Sequence, residues 1–348
     1  MLIIMDVRTI DAADPSWGSL LEKVRHDIFH LPEYLAVEDR FRETVTKLLV
    51  VEEAGVVMLM PLVFTAPLSG VWDASSPYRH AGPIFSAAAD AAWRRRAVIA
   101  ALAHLRESGV VSLFLRSHPQ AGLEEFAEVG SVVDHSPHYL IPLDLPLEEI
   151  MAGMRKGHRR NMRRAAKEGQ VAVHDPGWEH LEEFHGIYSA TMDRLDARPE
   201  YRFDRRYFEG SRDEVGEHAS LWVLEMDGIV AGAHVVTEVD GTVQYLLGAT
   251  HPDCRGKLSQ VAIFDAVLRW AHARGDRQYV LGGGAQEPLL HFKAGFTKEA
   301  VRETTARIVV DPVEYAAQSA RWSVLSGTVA DGVEGFFPAY RAPIAERV

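Results

Sequence analysis

Leu221–Leu247 reads LWVLEMDGIVAGAHVVTEVDGTVQYLL, and it decides the fold. Three apolar, β-branched runs, Leu221–Glu225, Ile229–Thr237 and Val243–Leu247, are joined by Asp227-Gly228 and Asp240-Gly241. Asx-Gly supplies the positive φ that tight hairpin turns need, so the stretch predicts an antiparallel three-strand meander. Leu258–Arg274 follows as a helix closed by Gly275, and Gln278–Leu281 as the next strand. Upstream, Gln170–Val173 reads as a strand and Trp178–Met192 as a helix. Downstream, Arg302–Val310 reads as a further strand.

The first half repeats the α/β character more loosely. Leu2–Thr9 suits a first strand rather than a signal peptide, since no basic segment precedes it. Asp14-Pro15 opens a helix carrying Leu20, Leu21 and Val24. Thr46–Val51 and Val56–Phe64 form a hairpin across Glu52–Gly55. Ala87–Ser108 predicts a helix and Val110–Leu115 a buried strand. The strand Tyr139–Ile141 gives way near Pro142–Glu148 to a basic helical segment. At 348 residues the chain is too long for one typical core. The expected division is residues 1–148, 149–312, and 313–348 packing back on the first domain.

Apolar residues make up 47% and charged residues 25%, an ordinary globular balance. No apolar run reaches the roughly 20 residues that span a bilayer. The single cysteine, Cys254, excludes an internal disulfide. Lacking an export signal and disulfides, the chain is expected in the cytoplasm. Its net charge of −12 opposes non-specific coating of DNA or other nucleic acid, but not RNA held on a local basic patch.

Arg155–Lys167 is such a patch, with seven Lys or Arg and no acid before Glu168. Arg159, Arg163 and Lys167 recur at helical spacing, with Arg160 and Arg164 beside them. The run is either an exposed helix paired with acids elsewhere or a phosphate-binding face. Gly282-Gly283-Gly284 after a strand reads as a flexible loop by itself, and Lys293, between Phe292 and Phe296, as a lysine lying over aromatics. No Gly-x-Ser-x-Gly or catalytic-cysteine pattern is present. Among 16 histidines, His174, His180 and His185 lack ligand spacing with carboxylates, so no metal is assigned.

The order helix, helix, meander, helix, strand resembles the acetyltransferase (GNAT) fold. Met154–Gln170 resembles the basic R-x-N-x-R-x-A-x-K-x-G helix of the Fem-like peptidyltransferase family, with Arg159, Asn161, Arg163, Ala165, Lys167 and Gly169 in register. The glycine triplet followed by Phe292-Lys293-Ala294-Gly295-Phe296 resembles the end of that family's second domain. Residues 72–83, with Ser76-Pro77-Tyr78 and Gly82-Pro83, resemble its S-P-Y-x-x-x-G-P loop. Thr191 and Arg194 match its T-x-x-R, although Leu195-Asp196 replaces the usual Asp-Gly.

The resemblance implies an α/β (α+β) protein of two GNAT-like domains with a cleft between them. It implies an aminoacyltransferase moving an amino acid from aminoacyl-tRNA to an amine of a cell-wall precursor or peptide metabolite, with the charged tRNA as co-substrate and no further cofactor. Lys293 and Phe292 take the catalytic positions. Tyr78, Arg79, Arg194 and Tyr245 take substrate positions. Arg159, Arg160, Arg163, Arg164, Lys167 and Arg255 take tRNA or phosphate positions.

Two other readings stand beside it. An acyl-CoA-dependent N-acyltransferase needs a phosphate loop at Arg255-Gly256-Lys257-Leu258-Ser259-Gln260. There Leu258 and Gln260 are expected to crowd a diphosphate at the helix start. A non-catalytic RNA- or sugar-binding protein on the same scaffold is the third.

Overall fold

The computed structural model describes residues 5–343 except 69, 120, 285, 328 and 330–334. Residues 2–4 of the expected first strand, and 344–348 of the expected C-terminal segment, lie outside the described residues. The chain divides into two compact units, residues 1–135 with 303–348, and residues 136–302. The first break therefore falls ahead of the expected 148/149.

In the first unit β1 (Asp6–Asp11) leads through α1 (Ser16–Leu21) and α2 (Pro32–Arg42) to β2 (Thr46–Glu53), β3 (Val56–Leu68) and β4 (Val71–Ser75). The short β5 (Ile84–Phe85) pairs with β3. Then come α3 (Ala91–Glu107) and β6 (Val110–Arg116). Asp90 caps α3 by accepting from the Trp93 amide, which fixes the helix start four residues after the expected one. β2, β3 and β4 form an antiparallel meander, and β6 returns through α3 to lie parallel to β4.

β7 (Ser131–Pro142) runs through the first break in the chain. The second unit continues with α4 (Leu147–Gly153), α5 (Lys156–Lys167), β8 (Ala172–Asp175), α6 (Leu181–Arg194) and α7 (Arg205–Asp213). It then has β9 (Ala219–Met226), β10 (Ile229–Val239), β11 (Thr242–Thr250), α8 (Ser259–Arg274), β12 (Gln278–Gly282) and α9 (Glu287–Lys293). β9, β10 and β11 are the meander read from the sequence, turning at Asp227-Gly228 and Asp240-Gly241, all four residues at positive φ. β12 lies parallel to β11 after α8, and β7 pairs antiparallel to β12. β13 (Ala300–Val309) pairs with β6, and α10 (Pro312–Ser326) follows it.

The two units repeat one plan: a three-strand meander, a helix, then a strand parallel to the meander's last. Each buries its own core. Leu49, Met60, Ala97, Leu113 and Ile308 centre the first, and Ile141, Leu224, Val243, Phe264 and Leu281 the second. Among the described residues no helix is long and apolar enough to cross a membrane.

Candidate active site

The second unit's sheet opens where its ladder stops. β11 and β12 pair only from Thr242–Gln278 to Gln244–Val280, although both strands run on. Immediately beyond, the β10–β11 register slips, Val235 facing Leu247 and Val236 facing Tyr245, so Leu246 is an extra residue. Such a bulge frees a backbone amide from the ladder, and bulges favour active sites.

Tyr245 and Lys293 meet at this opening. Lys293 closes α9 and is only 4% exposed. Its Nζ donates to the Gly283 carbonyl at 2.6 Å and sits 5.2 Å from the Tyr245 ring centre. The glycine triplet is thus no slack loop. Gly282 has φ +75°, and a Cβ on Gly283 would lie 2.5 Å from the His138 ring. Only glycine lets the chain pass there.

Beneath the opening lie polar atoms that sequence reading missed. His234 of β10 is fully buried, its ring 4.7 Å from those of Tyr245 and Phe264. Gln260 fixes its tautomer. The Gln260 amide nitrogen donates to the Ala249 carbonyl, so its oxygen accepts from His234 Nε2 at 2.8 Å. His234 Nδ1 then carries a buried lone pair with no partner, and Ser259 Oγ and the Tyr279 hydroxyl are also unpartnered. Burial pushes the His234 pKa down to about 4, and pushes Tyr279 well above the usual phenol range. Unpartnered buried polar atoms are rare and tend to mark functional sites.

The basic helix is α5. His158, Met162 and Ala165 face inward, while Arg160, Arg163, Arg164 and Lys167 are exposed and Arg159 is half-buried. Arg164 pairs with Glu168 at 2.6 Å, and Arg159 donates to the Ala152 carbonyl. Arg160, Arg163 and Lys167 form no ion pair with any described residue.

On its inner side α5 is joined to the lysine segment. The Arg155 amide donates to the Gly295 carbonyl at 2.8 Å, and His158 Nε2 donates to the Phe292 carbonyl at 3.0 Å. A Cβ on Gly295 would lie 2.1 Å from the His158 ring, so glycine is required there too. Burial lowers the His158 pKa, and the neighbouring Arg155 and His291 act the same way against the Phe292 carbonyl. Phe292, half-buried next to Lys293, packs its ring against His158, Phe264 and Phe296 at 5.2–5.7 Å.

The turn before α8 holds another correction. Leu258 packs against the core, and Gln260 is drawn inward by His234 and Ala249. The crowding expected from these two side chains is therefore absent from the helix start. Arg255 is exposed beside that start, donating to the Pro252 carbonyl. Arg194 is the exposed last residue of α6. A separate cavity of about 520 Å³ in this unit is lined by His180, Glu183, Ile187, Glu225 and His251 and contains none of the expected site residues.

In the first unit Tyr78 lies under the Arg42 guanidinium, 3.8 Å from its ring centre, and Arg79 has φ +70°. Asp73 of the same stretch is buried. It accepts from Ser112, Tyr340 and Arg341, and so fastens the C-terminal segment to this unit.

Residues 152–294 match the family model described as an acetyltransferase (GNAT) domain. Among solved structures, FemX superposes with a TM-score of 0.69 at 14% identity, over 89% of this chain and 99% of that one. The L-PGS of Bacillus licheniformis gives 0.57 at 12%, over 88% and 95%. The C-terminal domain of a putative lysylphosphatidylglycerol synthetase from Agrobacterium fabrum gives 0.55 at 13%, over 88% and 97%. No curated protein matches in sequence. The chain has the fold these proteins share, a GNAT fold present twice.

Proposed function

We propose that the protein is an acyltransferase that moves an aminoacyl group from a charged tRNA to the amine of a peptide-type acceptor. One observation carries this reading. α5 presents Arg160, Arg163 and Lys167 without counter-ions among the described residues, in a chain of net charge −12, and is hydrogen-bonded directly to the segment bearing Lys293. Like charges at helical spacing destabilise a helix by a few tenths of a kcal/mol per pair, so an unpaired row suits an anionic partner. A polyphosphate chain is such a partner. FemX, L-PGS and the putative lysylphosphatidylglycerol synthetase share the fold, and the last of these names fits aminoacyl chemistry.

The reaction asks little covalent work of the protein. The acceptor amine attacks the ester carbonyl carbon, and a C–N bond forms as the ester C–O bond breaks. The amine's proton ends on the departing ribose hydroxyl, so no oxidant or cofactor enters the balance. The protein's task is to orient the two groups and stabilise the tetrahedral oxyanion. Lys293, held by Gly283 beside Tyr245, supplies positive charge at the opening. The bulge at Leu246 supplies a backbone amide outside the ladder.

A second donor has one observation in its favour. With Leu258 and Gln260 turned inward, the α8 start and Arg255 leave room for the diphosphate of an acyl-CoA. Parallel assays of the full chain with radiolabelled aminoacyl-tRNA pools and with acetyl-CoA, over a panel of peptide amines, decide between the donors. Label transfer from tRNA is expected. Turnover with acetyl-CoA alone would overturn the tRNA reading and leave the acyltransferase.

A further inference from the structure

Far along the chain from the lysine segment, the first unit closes three side chains around one point. Asp27 and His30 flank a single turn, and His118 follows the end of β6. All three are at most 2% exposed. His30 Nδ1 lies 3.0 Å from Asp27 Oδ1, and His118 Nε2 lies 2.8 Å from Asp27 Oδ2. One ligand atom from each residue can be chosen so that all lie within 4.8 Å of one another.

Valence dictates what lies between them. His30 Nε2 is 3.0 Å from the Gly82 carbonyl, and a carbonyl only accepts, so that nitrogen carries the hydrogen. A neutral His30 then turns its Nδ1 lone pair toward a carboxylate oxygen. Two electron pairs in contact at full burial are repulsive, so either a proton lies on that axis or a metal ion beside it bridges the two atoms.

We infer that Asp27, His30 and His118 bind a divalent transition-metal ion of the zinc type. Imidazole nitrogen and carboxylate oxygen are the donors such ions take, at bonds of about 2.0–2.2 Å. Tetrahedral bonds of that length put neighbouring ligand atoms roughly 3.3–3.6 Å apart, so the 2.8 and 3.0 Å contacts found would open by a few tenths of an ångström to admit the ion. Asp27 offers both oxygens, so the set supplies four donor atoms from three residues. The outer contacts suit ligands as well. The Gly82 carbonyl holds the far nitrogen of His30, and the Phe29 amide donates to Asp27 Oδ1 at 3.0 Å.

The ion would be structural, because the burial of all three residues leaves no open position. It would fasten the 27–30 turn and the chain after β6 to the loop carrying Tyr78 and Arg79 at Gly82. A Cβ on Gly82 would meet the Arg116 carbonyl at 2.4 Å and the His118 amide at 2.6 Å, so this loop is already pressed against the ligand strand. Sequence reading missed the set because Asp27 and His30 are three residues apart, while His118 arrives from a distant strand end.

The test is metal analysis of the untagged full chain by plasma mass spectrometry, followed by zinc titration of chelator-treated protein. About one tight zinc equivalent per chain is expected, with a lower melting temperature on chelation that zinc restores. Asp27→Asn and His118→Gln should lose that equivalent and the zinc-dependent shift. The wild-type titration decides even if both variants misfold. Protein that is isolated metal-free and takes up no zinc, or a folded His118→Gln that keeps the equivalent, overturns the inference; in the first case the bridging species is a proton.

Discussion

The arginine-rich helices α3 and α5 use their charge in opposite ways. On α3, Arg94 pairs with Glu125 at 3.2 Å, Arg95 with Glu128 at 3.4 Å, Arg96 with Glu53 at 2.6 Å and Arg106 with Asp311 at 3.4 Å. The acids come from four separate positions of the same unit. On α5, among the described residues, only Arg164 has an acid, its own neighbour Glu168. Two similar-looking runs of sequence therefore separate into a neutralised face and an open one. Charge counting along a sequence cannot make that separation; the fold makes it by what it brings opposite.

The sharpest way to break the comparison is to reverse the open face. Arg160→Glu, Arg163→Glu and Lys167→Glu together should lower aminoacyl transfer by about 1000-fold at moderate salt. The slope of log affinity for tRNA against log salt should fall by about 2–3. Filter binding across a salt series, with the melting temperature as control, reads both. An unchanged salt slope would mean that the row faces nothing anionic.

Lys293→Met comes next. It removes the charge at the β11–β12 opening and leaves α5 intact, so tRNA affinity should hold while kcat falls by about 100-fold. Loss of the Gly283 partner should also cost roughly 1–3 kcal/mol of stability. Single-turnover transfer with tRNA saturating isolates the first effect. A variant that binds tRNA as poorly as the triple reversal would show that Lys293 serves docking rather than the chemical step.

His234 extends the contrast from surface charge to buried polarity. Its folded pKa is about 4 against 6.5 for the free side chain. Between those values the unfolded chain holds the extra proton, so stability is fully present above pH 6.5 and declines as pH falls toward 4. From pH 6.5 to 5 the decline due to this residue is about 1.6 kcal/mol. Urea unfolding of the wild type and of His234→Gln at both pH values should differ by that amount in pH dependence. Parallel slopes would show that His234 is not held neutral.

How much was legible in sequence follows the range of the forces involved. The β9–β11 meander was readable because Asp-Gly turns act within two residues. So was the cationic row of α5, set by helical spacing. The first unit's matching meander was only half-read. β4 is five residues long and carries the buried Asp73, so polarity hid a strand. The opening between β11 and β12 could not be read, because it depends on where pairing stops and on one extra residue at Leu246. Gln260 was misplaced for a related reason. Its position in the first turn of a helix suggests a side chain over the helix start, but an imidazole 26 residues upstream draws it inward. The packing of Phe292 was not legible either, because the three aromatic rings around it come from separate elements.

The smallest expected effect is the control that gives the comparison its meaning. Arg94→Gln and Arg95→Gln on α3 remove two ion pairs but create no buried cavity. Exposed pairs contribute about 0–1 kcal/mol each, and the Arg95–Glu128 pair, with side chains 54% and 69% exposed, belongs at the low end. Arg94 deserves slightly more. Its partner Glu125 is 11% exposed, and it also donates to the Ala89 carbonyl and lies 4.7 Å from the Phe85 ring centre. The double variant should thus lose at most about 1–2 kcal/mol, mostly through Arg94, and transfer from tRNA at a temperature well below melting should stay within about twofold of wild type. If it instead lost transfer in parallel with the α5 reversal, the paired arginines would be as much a part of tRNA recognition as the unpaired ones, and the presence of counter-ions would no longer distinguish the two helices.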